Sequence, residues 1–284
     1  MDYFVGMKLL SSFLLALTIS FSSYSQSDDA FNCEAHWKKG DVQVYRISRK
    51  ITQPNKGENN IDFYFDASVS VMDLTDSGYT VEWIFHFSPE FKSRHPELVK
   101  YMSSYDGMKL TITTDKTGAF TGLSNWEEAR DAFLKKSKET LGNKDEDGLA
   151  SHFLQEMYGS REKVEAMLIP EIRLFYGPYG KAYPYRSDST RIPIPNPMGE
   201  DTLYQVLAKK ASVDGANKDN YKLEMSTSLD MEKVHNGAGQ YTSREMMEFD
   251  LTKSSGWIRH ISYTRTVDMM GARQEESTVF TLLH

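Results

Sequence analysis

The chain has 284 residues, with 40 acidic and 33 basic side chains giving a formal charge of −7, and the two signs are mixed along its length. That pattern excludes the basic groove on which nucleic-acid binding depends, and it offers no polybasic stripe for an anionic membrane surface. The single cysteine, Cys33, excludes an internal disulfide, so packing and backbone hydrogen bonds must hold the fold together.

Lys8 precedes the apolar run Leu9 to Phe21, and Ser23-Tyr24-Ser25 places small residues at both positions that a signal peptidase inspects. Residues 1–25 are therefore expected to be a signal peptide cleaved before Gln26, with Met7 as an alternative initiator. The run is too short and serine-rich to span a bilayer, and the mature chain offers no other span. The expected location is the periplasm or the extracellular space, with association to the outer envelope. Cys33 does not suit lipidation, because Phe31-Asn32 precedes it well beyond the apolar run, and a disordered or weakly buried thiol is expected there.

The mature chain opens with a strand over Asp41 to Thr52, entered after Gly40 and left near Pro54 and Gly57. Ile61 to Met72 then alternates, with Ile61, Phe63, Phe65, Ala67, Val69 and Val71 sharing a face that must be buried. Asp76-Ser77-Gly78 turns the chain into Tyr79, Val81, Trp83, Phe85 and Phe87, which predicts a long antiparallel hairpin. Asp106-Gly107 leads into a strand over Met108 to Thr114, and Lys116-Thr117-Gly118 reverses it toward Ala119 to Leu123.

At Ser124 the period changes. A capping box of Ser124 and Glu127 predicts a helix from Asn125 to about Leu141, with Trp126, Ala129, Phe133 and Leu134 as its apolar stripe. Leu149, Phe153 and Met157 recur at helical spacing, and Ser160 caps a further turn through Val164, Met167 and Leu168 until Pro170 limits it. These helices cannot bury their apolar faces alone, so they are expected to cover a sheet. From Phe175 to Pro197 five prolines and four tyrosines predict a long shaped loop with at most a short edge strand.

Strands resume at Thr202 to Val213 and Tyr221 to Met231, the latter with Tyr221, Leu223, Met225, Leu229 and Met231 in register. Tyr241 to Leu251, Trp257 to Met269 and Glu275 to Leu283 complete an antiparallel meander. Lys109 to Gly118 and Met247 to Gly256 echo one another, each a strand that ends in a polar glycine turn and is followed by an aromatic residue. The predicted fold class is α+β: a mainly antiparallel curved sheet or incomplete β-barrel with two or three central helices. Residues 26–284 form one β-rich domain with a helical insertion at about 124–169, and a two-domain arrangement is the alternative.

Tyr24-Ser25-Gln26, the strand Gly40-Asp41-Val42-Gln43-Val44-Tyr45 and the segment Asp250 to Trp257, which ends in Ser-Ser-Gly-Trp, resemble uncharacterised secreted β-rich proteins of Bacteroidota. The resemblance implies a periplasmic or outer-envelope setting and carries no functional residues. The sheet-plus-helix arrangement is loosely similar to half-barrel folds that handle lipoproteins, which makes lipid transport an analogy.

No phosphate loop, dinucleotide fingerprint, nucleophile elbow or paired-histidine helix occurs, so neither a catalytic residue, a metal ligand set nor a cofactor is predicted. His86, His95, His152, His235 and His260 are dispersed, and Glu127 and Glu128 are adjacent on a helix and do not face one another. Asp73, Asp76, Asp115 and Asp250 sit at strand exits, where turn hydrogen bonds account for them. Trp83, Phe85, Tyr176, Tyr179, Tyr183 and Tyr185 form the candidate ligand-binding set; core packing and loop plugging are the ordinary uses of such rings. The expectation is a noncatalytic binding protein for a lipid-like ligand or an envelope protein. A structural or assembly component of the envelope and a hydrolase with an unrecognised site are the alternatives.

Overall fold

The computed structural model describes residues 30–52, 61–94, 96, 104–141, 149–194, 203–229, 241–269 and 272–283. The expected signal peptide and its cleavage site lie outside them.

Two hairpin systems build the sheet. The first runs through β2 (Val42–Thr52), β3 (Ile61–Thr75), β4 (Gly78–His86), β5 (Lys109–Thr114) and β6 (Phe120–Leu123). The second runs through β8 (Asp188–Ile194), β9 (Leu203–Val213), β10 (Asn220–Leu229), β11 (Tyr241–Thr252), β12 (Ile258–Met269) and β13 (Ala272–Leu282). The last strand, β13, pairs antiparallel with β2 and joins the two into one 11-stranded open sheet of order β6-β5-β4-β3-β2-β13-β12-β11-β10-β9-β8. Every pairing in it is antiparallel. The alternation expected over Phe63 to Val71 and Tyr79 to Phe87 is present, and the register carries it across the sheet: Ile47 lies opposite both Phe65 and Phe280, Ile261 opposite Phe280, and Phe249 opposite Ile261. All five side chains are buried. One inner face is thus apolar, and register slips are opposed because each would turn these rings to water.

The inner face of the first half is covered by helices. These are α1 (Pro89–Arg94), α2 (Trp126–Leu141), α3 (Leu149–Met157), α4 (Arg161–Leu168) and α5 (Pro170–Tyr176). The stripe of α2 is as expected: Ala129 and Phe133 are buried, Trp126 and Leu134 half-buried, and Glu127 and Glu128 face water. The capping box does not form. Ser124 Oγ instead donates to the carbonyl of Thr111 at 3.0 Å, and Asn125 Oδ1 accepts from Thr111 N at 2.8 Å, so both side chains tie the helix entry to β5. Ser160 Oγ does accept from Lys163 N, at 3.4 Å. Pro170 ends α4 and begins α5 at a first-turn position, where its missing N–H costs nothing. Helix therefore continues to Tyr176, beyond the expected limit of the insertion, and the shaped loop that follows contains β7 (Lys181–Pro184) as well as the edge strand β8.

The N-terminal segment was expected to be loose and is instead an integral part of the fold. β1 (Ala30–Cys33) pairs antiparallel with β7 in a two-stranded ribbon, and Cys33 is 1% exposed. The next residues cross the end of the sheet, where Trp37 stacks on Trp257 at 4.9 Å and meets Tyr79 and Tyr179, each at 5.1 Å. The two echoing glycine turns converge on this segment. Ala35 N donates to Thr117 O at 2.8 Å and His36 N to Ser255 O at 3.2 Å, so each turn presents a carbonyl to the same stretch of backbone. Gly118 and Gly256 both hold positive φ, +88° and +68°. A Cβ on Gly256 would stand 2.5 Å from the Glu34 carbonyl oxygen, whereas Gly40, at φ +89°, has open space.

Both substitutions Gly40→Ala and Gly256→Ala incur the left-handed backbone penalty of about 1–2 kcal/mol. Only Gly256→Ala adds a backbone collision, so urea denaturation is expected to show it as the clearly less stable variant. Equal losses in the two would remove the close approach as a stabilising feature.

Candidate functional site

Five of the six aromatic residues predicted to bind a ligand lie in the interior. Trp83 and Tyr183 are 0% exposed, and Phe85, Tyr176 and Tyr179 are also buried. Four of them, Trp83, Phe85, Tyr176 and Tyr179, pack together, while Tyr183 lies in β7: Trp83 Nε1 donates to Tyr176 Oη at 3.1 Å, and Phe175 of α5 packs edge-on against Trp83 at 5.1 Å and Tyr45 at 5.3 Å. Tyr179 Oη donates to the Gly256 carbonyl at 2.6 Å, which clamps the chain after α5 onto the β11–β12 turn. Burial raises the phenol pKa of Tyr45, Tyr176, Tyr179 and Tyr183, so all four stay neutral. Tyr185, the sixth, is exposed. The set thus divides into five interior rings and one surface ring.

The titratable groups that could make a catalytic centre are not gathered in one place. His86 faces outward on β4, with its Nε2 3.0 Å from Ser68 Oγ. His260 on β12 pairs in register with Asp250 on β11. β4 and β12 are separated by β3, β2 and β13, which puts them roughly 19 Å apart at ordinary strand spacing. Glu127 is exposed on α2, and His95 lies outside the described residues. Among the described residues, no three His, Cys, Asp or Glu side chains stand close enough to hold a metal ion. An outward-facing depression of about 270 Å³ is lined by Val213, Tyr221, Lys222, Asp250 and Arg259 among others, and Lys222 is paired with Glu248 at 3.1 Å.

A different set of residues stands out on the inner face. Along the strands the burial falls in one direction: Phe249 and Met247 on β11 are buried while Glu245 and Ser243 are half-buried, and on β12 Ile261 is buried while Tyr263, Arg265 and Val267 are half-buried. Where the apolar face ends, the register places a row of Ile51, Glu276, Arg265, Glu245, Thr227 and Leu207 side by side. Arg49, one step deeper, donates from Nη1 to Glu171 Oε1 at 2.9 Å and from Nη2 to Glu276 Oε1 at 2.5 Å, which fastens α5 to the sheet. Glu245 accepts from Thr227 Oγ1 at 3.2 Å and from Tyr263 Oη at 3.4 Å. Beyond this row, Val267, Leu229 and Ile192 are half-exposed apolar residues of the same face.

A second basic feature lies under the β1–β7 ribbon. Lys181 is opposite Cys33, and Lys209 of β9 is opposite Met225 and Asp188, with its Nζ 6.0 Å from the Tyr183 ring centre. Burial, reinforced by the like charge of Lys209, pushes the Lys181 ammonium down to about 8, while burial pushes the Cys33 thiol up, so that thiol is no nucleophile. The charged row was missed in the sequence because Arg49, Glu245, Arg265 and Glu276 each occupy an inward position of a strand whose neighbours are polar. The alternation there could only be read from the register.

No family model matches the chain, and no curated protein matches its sequence.

The lowered Lys181 pKa has a stability consequence. Below about pH 8 the lysine is protonated in both folded and unfolded chains, and the folded chain bears the full cost of holding that charge. Between about 8 and the ordinary 10.5 the unfolded chain keeps a proton that the folded chain has lost, so rising pH favours folding. Lys181→Met is therefore expected to be more stable than the parent at pH 7, by on the order of 2 kcal/mol. The difference should shrink as pH rises through that window. Paired urea titrations at several pH values check this, and a gain that does not change with pH would refute it.

Proposed function

We propose that the chain is a noncatalytic binding protein of the periplasm or outer envelope, which takes a lipid-like ligand at the end of the inner face where burial falls away. The observation that carries the reading is the composition of that region. Half-exposed Ile51, Val267, Leu229 and Ile192 face the same way, interleaved with Ser243 and Gln205, and they adjoin a small group of charges instead of continuing the sealed core. A surface of that kind suits a ligand with an apolar body and a polar end, since a few placed polar groups in an apolar lining fix orientation. The distance of His86 from the His260–Asp250 pair favours binding over hydrolysis. The leader composition and the resemblance to secreted β-rich proteins support the setting.

Under this reading the five interior rings hold the scaffold rigid and the ligand lies beyond them. Protein expressed with its leader, purified without detergent and sprayed under native conditions is expected to carry a small-molecule adduct that organic solvent releases. Val267→Glu is expected to remove that adduct while the circular dichroism spectrum is unchanged. Material that is reproducibly ligand-free and copurifies stoichiometrically with an envelope protein would replace the lipid-like ligand with a protein partner.

A further inference from the structure

We infer that Lys181 is a modification site: its ε-amine, held beside Lys209 in the dry interface between the β1–β7 ribbon and the sheet, takes an acyl group from an activated acyl donor. The inference stands apart from the binding reading and rests on where the two amines lie. On the inner side of the ribbon Phe31 is opposite Tyr183 and Cys33 opposite Lys181. Phe31, Cys33 and Tyr183 are buried, and Lys181, which alone of the four carries an ammonium, is half-buried, so a small reagent reaches it. The sheet turns Lys209 toward the same interface. Leu207 and Ala211, its neighbours on that face of β9, are buried, as is Met225 opposite, and its Nζ stands 6.0 Å from the Tyr183 ring centre.

A lysine in apolar surroundings beside a second cation is an activated nucleophile, because both conditions disfavour the protonated form that cannot attack. Burial first, and the Lys209 charge second, lower the Lys181 ammonium to about 8. The other ionisable groups around the pair leave this in place. Cys33 is held as a neutral thiol and Tyr183 as a neutral phenol, Glu34 is exposed, and Asp188 of β8 lies opposite Lys209 and acts on that lysine. In the reaction the unprotonated amine adds its lone pair to the acyl carbon, the bond from that carbon to the leaving group breaks with its electron pair, and the amine proton passes to water. The amide that results suits the interface better than the imine an aldehyde would give, since an amide nitrogen is not basic and the cost of holding a charge there is gone.

The test treats the full chain with a small amount of N-acetoxysuccinimide, from neutral to mildly alkaline pH, and follows each lysine by peptide mass spectrometry. At pH 7.5 about a quarter of an amine that titrates near 8 is unprotonated, against about 0.1% of an ordinary lysine, and the lower nucleophilicity of the weaker base takes back roughly an order of magnitude. Lys181 is therefore expected to acetylate about tenfold faster than exposed Lys116 and Lys210 at that pH. Its rate is expected to level off above about pH 8. Lys209→Met, which keeps an apolar stem and removes the like charge, is expected to slow Lys181 at pH 7.5 and to move the levelling to higher pH. Unfolding in urea is expected to abolish the preference. The inference is overturned if Lys181 acetylates no faster than the exposed lysines, if its rate never levels, if Lys209→Met leaves the profile unchanged, or if the preference survives unfolding.

Discussion

An open sheet of eleven strands has one face that must be covered, and the whole structure is arranged around how that is done. The decisive contact is the packing of Phe175 and Tyr176 of α5 into Trp83 and Tyr45, because α5 is the helix that reaches the middle of the sheet. Phe175 also approaches Phe280 of β13 at 6.4 Å, so one ring bridges the two hairpin systems. Large aromatic groups suit this position: each removes a great deal of apolar area from water, and edge-on pairing adds to it. Remove that cluster and the two halves are left with the β2–β13 ladder and the contacts of residues 35–37 at the near end.

Closure of the near end follows from the same constraint. Backbone groups at strand ends need partners, and here the segment after β1 supplies them to two separate turns while Trp37 fills the space between. The positive φ of Gly118 and Gly256 lets both turns approach without a Cβ in the way. The sequence echo between Lys109–Gly118 and Met247–Gly256 therefore has a local physical basis, since both turns solve the same docking problem against one strap.

Much of the scaffold was legible in the residues because alternation with period two and glycine turns are local signals. β2 to β6 and β9 to β13 fall close to the predicted bounds, as does α2. What local signals could not give was anything that depends on a distant partner. β1 is four residues long and is a strand only because β7 pairs with it, and Cys33 is buried only because that ribbon lies over β9 and β10, where Phe31 stacks on Tyr221 at 4.1 Å. Ser124 matched a capping pattern, but the helix begins at Trp126 and the Ser124 hydroxyl is turned to donate to the Thr111 carbonyl of β5. The aromatic residues from Trp83 to Tyr183 drew attention by their density, and that density serves the core.

The charged row is the part a sequence reading is least able to see, and the reason bears on its meaning. An arginine placed inward on a strand costs free energy unless its charge is paired and its donors are used, and replacing such groups by apolar ones is often neutral or stabilising. Arg49 is ion-paired with both Glu171 and Glu276, which fastens α5, although its Nε has no hydrogen-bond partner among the described residues. Arg265 is ion-paired with Glu245 at 3.6 Å and lies opposite Glu276 in register, so its charge too is offset within the row. The two arginines differ in degree, Arg49 joined to two carboxylates and Arg265 to one, and their ion pairs tie β2 to β13 and β12 to β11 where the apolar face ends.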